Sequence, residues 1–168
     1  TFIDEFGVEV VNVERTTAGT SAIATLRGGD GDDEFNIFHN EAKLFLFGDD
    51  GDDVFAVFTF LVIAEEGSVD ALNLTTIDGG TGSNSYEYLQ NAPVEIVGGE
   101  GTDTLVLTGT GLGDVFVVTD KFIAGAGRQL LLKDNIERII VNGAGGDDEI
   151  YVLSTREGVE TIVRGGSG

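Results

Sequence analysis

Apolar residues in this chain alternate with polar ones in short runs, and each run stops at a cluster of glycine and aspartate. A six-residue unit, Gly-x-x-Gly-x-Asp, recurs at 28–33, 48–53, 98–103 and 143–148. Asn84 replaces the final Asp in 79–84, the unit at 109–114 is divergent, and 165–168 is truncated. Two residues past each sixth position stand Phe35, Phe55, Tyr86, Leu105, Phe116 and Ile150. Four past stand Ile37, Val57, Tyr88, Leu107, Val118 and Val152. Two before each first position stand Leu26, Leu46, Ile77, Ile96, Leu107, Val141 and Val163, with Leu107 serving two turns. A period of two marks strands with one face turned inward. The pattern therefore predicts strand, glycine turn, strand and second turn, repeated along the chain. No segment carries a helical period.

The first positions of the units are separated by 20, 31, 19, 11, 34 and 22 residues. A step near 20 is one repeat. The step of 31 predicts an insertion within 64–73. The steps of 11 and 34 together approximate two repeats, and an extra hairpin is expected within 120–133, from 121–124 and 128–132 around Gly125-Ala-Gly127. Repeats of this length stack about 4.8 Å apart with parallel, in-register pairing. Phe35 then lies over Phe55, and Leu46 over its counterparts. The expected fold is all-β, a parallel β-solenoid of β-roll or β-helix type, in one domain over 1–168. The ending 165–168 reads as the start of another repeat, so a segment of a longer array is expected. Its open strand edges would pair with neighbouring repeats or, end to end, with a second copy.

Charge narrows the possible functions. The 168 residues include 30 Asp+Glu against 9 Lys+Arg, a net charge of -21. That balance argues against nucleic acid and anionic membrane surfaces, which require clustered Lys or Arg. No apolar run is long enough to span a bilayer, so no membrane insertion is expected. Divalent cations suit the charge. A hydrophobic content of 41% with 11 Phe argues for a packed core rather than a disordered acidic chain. The 26 Gly with a single Pro point to turns that need positive φ. Without Cys, disulfides and thiolate metal sites are excluded. His39 is the only histidine, and the serines have no nearby base. A glycosidase-like carboxylate pair is conceivable, but carboxylates in repeating turns read better as ligands. No catalytic residue is assigned, and the chain is not expected to be an enzyme.

Glycine lets the chain turn tightly and aim backbone carbonyls into one space, to which the aspartates add carboxylates. Ca²⁺ takes six to eight such oxygens. One turn cannot supply that many, whereas two stacked turns can. The turns at 28–33 and 48–53 together hold seven Asp within twelve residues.

The unit Gly-Gly-x-Gly-x-Asp-x-apolar-x resembles the nonapeptide repeats of the RTX, or hemolysin-type calcium-binding, proteins. Residues 28–36 and 98–106 match it at every fixed position, and 48–56 departs only at Asp49. The resemblance implies that sixth-position Asp side chains and turn carbonyls hold several Ca²⁺ ions between neighbouring turns. Carried onto this chain, the carboxylate ligands are Asp33, Asp53, Asp103 and Asp148, with Asp30, Asp32, Asp50, Asp52 and Asp147 as additional or alternative ligands. The turn positions are Gly29, Gly31, Gly48, Gly51, Gly99 and Gly101. The family places two motif turns in each repeat of about eighteen residues. Here one turn falls in about twenty, so a single row of calcium sites along one edge is expected. The resemblance implies a calcium-rigidified structural module of a secreted or cell-surface bacterial protein, such as an adhesin spacer. The alternative is a module of an extracellular carbohydrate-active enzyme or a glycan-recognition domain.

Overall fold

The alternating runs form strands in the computed structural model, which describes residues 2–3, 9–10, 22–37, 42–58, 75–89, 94–125, 128–132 and 135–168. In chain order the first strands are β1 (Phe2–Ile3), β2 (Glu9–Val10), β3 (Ala24–Asp30), β4 (Glu34–Ile37), β5 (Leu44–Asp50) and β6 (Val54–Val57). There follow β7 (Thr75–Asp78), β8 (Ser85–Leu89), β9 (Val94–Val97), β10 (Thr104–Thr108) and β11 (Val115–Val118). The last are β12 (Phe122–Gly125), β13 (Arg128–Leu132), β14 (Arg138–Asn142), β15 (Glu149–Val152) and β16 (Glu160–Arg164). No helix occurs among the described residues. The expected insertion at 64–73 and His39 lie outside them.

Two larger sheets carry the fold. One has eight strands in the order β15-β11-β12-β13-β9-β7-β5-β3, the other six in the order β16-β14-β10-β8-β6-β4. A separate pair, β1-β2, is antiparallel. Pairing in the six-stranded sheet is parallel throughout and matches like positions of successive repeats: Phe35 with Phe55, Phe55 with Tyr86, Tyr86 with Leu105, Leu105 with Ile139. In the other sheet Leu26, Leu46, Ile77 and Ile96 pair in the same way. Phe35, Phe55 and Tyr86 stack with ring centroids 4.9 and 5.4 Å apart and planes within 6° of parallel. Both sheets turn their apolar positions into one buried cluster, from Leu46, Ile77 and Ile96 on one side to Phe55, Tyr86 and Leu105 on the other. Alternation in the sequence thus becomes a ladder of like side chains, because parallel in-register pairing sets each residue over its equivalent.

The expected hairpin forms. β12 pairs antiparallel with β11 and with β13, and β13 rejoins the parallel order beside β9. Its two strands fill the gap left between β9 and β11, which is why 34 residues separate the units at 109 and 143.

The expectation of one row of turns along one edge is corrected by the topology. The turns at 28–33, 48–53, 79–84 and 98–103 each lead from the eight-stranded sheet into the six-stranded one. Those at 109–114 and 143–148 lead the opposite way, and 165–168 stacks on the latter. The turns therefore lie past the strand ends of different sheets, in two rows. The cause is β10. Only 11 residues separate positions 98 and 109, so this one strand leaves one glycine turn and runs directly into the next, on the other edge.

Candidate metal-binding turns

Each turn divides its acidic residues into an inner and an outer set. Asp53 and Asp103 are 0% exposed, and Asp33 and Asp148 are half-buried. Asp30, Asp32, Asp50, Asp52 and Asp147 are exposed. The outer set is tied into ordinary surface bonds where it is tied at all. Asp32 Oδ1 accepts the Asp52 N–H at 2.9 Å, and Asp52 Oδ1 accepts the Ser83 N–H at 2.7 Å. Asp50 Oδ1 accepts from the Thr81 hydroxyl at 3.1 Å, and Asp49 pairs with Arg27.

The inner set forms a ladder. One oxygen of Asp53, Asn84, Asp103 and Asp148 accepts the N–H of the sixth residue in the preceding turn. Asp33 N–H donates to Asp53 at 2.8 Å, Asp53 N–H to Asn84 at 2.9 Å, and Asn84 N–H to Asp103 at 2.9 Å. In the second row Asp114 N–H donates to Asp148 at 2.9 Å. The row that begins at Asp33 continues past the last motif: Asp103 N–H donates to Glu137 Oε2 at 2.8 Å. Glu137 lies in no glycine unit, and nothing in the sequence marked it; its longer side chain reaches the same rung.

The second oxygen of the inner carboxylates has no such partner. Oδ2 of Asp33, Asp53, Asp103 and Asp148 is buried and accepts no hydrogen bond. Those of Asp33, Asp53 and Asp148 share the space beside a glycine with the carbonyl of the next turn, and that of Asp103 with Asn135 O. A Cβ on Gly28 would lie 2.3 Å from Asp33 Oδ2 and 2.7 Å from Gly48 O. On Gly48 it would lie 2.0 Å from Asp53 Oδ2 and 2.4 Å from Gly79 O, and on Gly143 2.2 Å from Asp148 Oδ2 and 2.4 Å from Gly165 O. At Gly98 the same space holds Asp103 Oδ2 and Asn135 O. The first glycine of the unit is thus required by close approach. The second and fourth positions take a positive φ, +101° to +142° at Gly29, Gly31, Gly51, Gly99 and Gly101, and at Gly51, Gly99 and Gly101 a Cβ would also meet the backbone of the neighbouring turn.

These contacts bring two acceptors together and supply no donor. Burial raises the Asp53 carboxyl above its ordinary range, and Asp33, Asp32 and Asp49 add to the rise, while the hydrogen bond from Asp33 opposes it. Burial also raises Asp103, opposed by the hydrogen bond from the Asn84 N–H and helped by Glu137. A carboxylate in this setting is relieved either by a proton or by a cation. The glycine contacts bound each oxygen pair at about 5 Å apart or less, which one Ca²⁺ with bonds of about 2.4 Å can bridge. The donor set, carboxylate plus carbonyl, is that of a hard cation. Among the described residues no three Asp, Glu, His or Cys side chains converge as a metal cage, so each inner position contributes a single carboxylate.

Two turns are built differently. At 79–84 the sixth residue is neutral Asn84, and the Tyr86 hydroxyl donates to Val97 O at 3.2 Å and Gly98 O at 3.0 Å. Burial, and then the carboxylates of Asp103, Asp78, Asp53 and Glu137, push the Tyr86 phenol far up, so it remains a donor. At 109–114, Asp114 Oδ2 accepts both the N–H and the hydroxyl of Thr110. Both departures were visible in the sequence, as Asn at a sixth position with Tyr two residues on, and as Thr at a second position. Their consequence was not.

The chain matches no family model, no curated protein and no solved structure.

Proposed function

We propose that this chain is a calcium-binding structural module, a segment of parallel β-solenoid related to the RTX repeats, whose turns are closed by metal ions. The observation that carries the reading is the buried, unpartnered Oδ2 of Asp33, Asp53, Asp103 and Asp148, each set against a backbone carbonyl. An ion bound there belongs to the folded state alone, because its oxygens come from turns about twenty residues or more apart. Binding and folding are therefore coupled. Extracellular calcium modules bind at about 10⁻⁴–10⁻³ M, so the module is loose where calcium is scarce and rigid outside the cell. The role is structural and not enzymatic: the inner carboxylates are sequestered beneath turns and reach no substrate. A spacer in a secreted or cell-surface bacterial protein, such as an adhesin, uses this stiffness.

Circular dichroism and thermal melting in EGTA, followed by calcium titration, test the proposal. A rise in β signal and melting temperature with calcium, with uptake measured by calorimetry, is expected. An unchanged melt and no heat of binding at millimolar calcium would end it.

A further inference from the structure

The inner row that starts at Asp33 is interrupted where its sixth residue is Asn84. Around the Gly79 Cα, where other turns bring a carboxylate oxygen against the next carbonyl, stand the Tyr86 hydroxyl, Gly98 O and Asn84 Nδ2, at 2.1, 2.4 and 2.5 Å from a Cβ built there. The acceptor, Gly98 O, is equivalent to Gly48 O and Gly79 O in the preceding turns. The group facing it is not a carboxylate. It is a hydroxyl that donates to that same carbonyl at 3.0 Å. Asn84 keeps the ladder intact, accepting from Asp53 N–H with its oxygen. Its amide nitrogen is buried and makes no hydrogen bond. Asp at this position would have set a third carboxylate in file between Asp53 and Asp103.

We infer that the turn at 79–84 is closed by the protein's own donor, the Tyr86 hydroxyl, standing where the other inner turns take a cation. The inference rests on the calcium reading for the words "where the others take a cation", and on hydrogen bonding alone for the closure. Tyr86 is the only residue two places past a sixth position that carries a hydroxyl; its equivalents are Phe35, Phe55, Leu105, Phe116 and Ile150. It pays no packing penalty for the hydroxyl, since the ring still stacks on Phe55. Two consequences follow. The row is divided into the Asp33 and Asp53 sites on one side and the Asp103 site on the other. The strands β6, β8 and β10, which meet at this rung, hold together without metal and give the remaining turns a template on which to close when calcium arrives. In the second row a hydroxyl acts differently, Thr110 donating to the Asp114 carboxylate itself.

The test uses the full chain, Tyr86→Phe, and the double variant Asn84→Asp/Tyr86→Phe. Hydrogen exchange in EGTA is expected to leave amides of 85–89 and 104–108 in the wild type at least tenfold slower than those of 34–37. Tyr86→Phe, which keeps the ring, should remove that protection tenfold or more while leaving the number of calcium ions bound in calorimetry unchanged. The double variant should bind one calcium ion more than the wild type. Equal exchange of 85–89 and 34–37 in wild-type EGTA samples would overturn the inference. So would a double variant that folds in calcium and gains no ion. A wild-type chain that takes up no calcium would sink the calcium reading instead, and the Tyr86→Phe exchange would still decide the closure by itself.

Discussion

Asp53→Asn separates the two roles of an inner carboxylate. The substitution is nearly isosteric and preserves the oxygen that accepts the Asp33 N–H. It replaces the unpartnered Oδ2 by an NH₂ that faces Gly79 O. Asn84, one turn further on, already holds this position in the same ladder, so the fold accommodates the change. In a chelator the variant should therefore be the more stable protein. Leaving a buried polar group unsatisfied costs about 1–3 kcal/mol, more when it is charged, and Asn removes the charge and sets a donor in place of an acceptor against Gly79 O. For a chain of this size each kcal/mol moves the melting temperature by about 2–4 °C, giving a rise of about 2–12 °C. Calcium acts in the opposite direction. At a hundred times its dissociation constant one ion stabilises by about 2.7 kcal/mol, which the variant forgoes at this site. Asp53→Asn thus leads in EGTA and loses the lead as calcium is added. Melting curves of both proteins across a calcium titration measure this. A variant that melts below the wild type in EGTA, or one that responds to calcium as strongly as the wild type, would refute the argument that Oδ2 is an uncompensated charge awaiting a cation.

Other outcomes follow from the same geometry. Gly48→Ala places a methyl 2.0 Å from Asp53 Oδ2 and 2.4 Å from Gly79 O, and should cost about 3 kcal/mol or more, at the upper end for overpacking. Gly29→Ala meets nothing within 4 Å but sits at φ +101°, so only the left-handed penalty of about 1–2 kcal/mol applies; urea midpoints of the two variants should differ in that order. Phe55→Ala removes the middle ring of the stack and should cost about 3–5 kcal/mol, read from the same curves. The calcium-free chain should grow less stable as pH rises. The folded carboxyls of Asp53 and Asp103 are raised by burial, so their contribution is complete below the ordinary carboxylate pKa of about 3.9 and is lost as pH climbs through the folded values. Asp53→Asn should flatten that slope, and denaturation in EGTA from about pH 4 to about pH 7 checks it.

Much of the architecture was legible in the sequence because it is built from local rules. Period-two alternation around 28–33 and 48–53 defines strands that end at glycine, and parallel stacking then puts Phe35 on Phe55 and Leu26 on Leu46. The hairpin of β12 and β13 follows from two apolar runs around Gly125-Ala-Gly127. The unit named Asp33, Asp53, Asp103 and Asp148 together with their exposed neighbours, and only the resemblance set the sixth position first, without a physical reason. Position within the turn decides that ranking. The sixth side chain points back under its own first glycine, whereas the third and fifth point to solvent, and only the folded turn distinguishes these directions.

The sequence by itself determined that strands alternate with glycine turns, and at what spacing, because side-chain period and φ preference are properties of the chain. Only the tertiary structure decided which sheet each strand joins. A step of 11 residues is one strand plus one turn, and so moves the next turn to the opposite edge; counted along the chain, it looked like an irregular repeat. Tertiary structure alone also placed Glu137 on the rung after Asp103 and aimed the Tyr86 hydroxyl at Gly98 O. These contacts join residues 34 and 12 positions apart, and their chemistry depends on a burial that no single turn possesses before its neighbour stacks upon it.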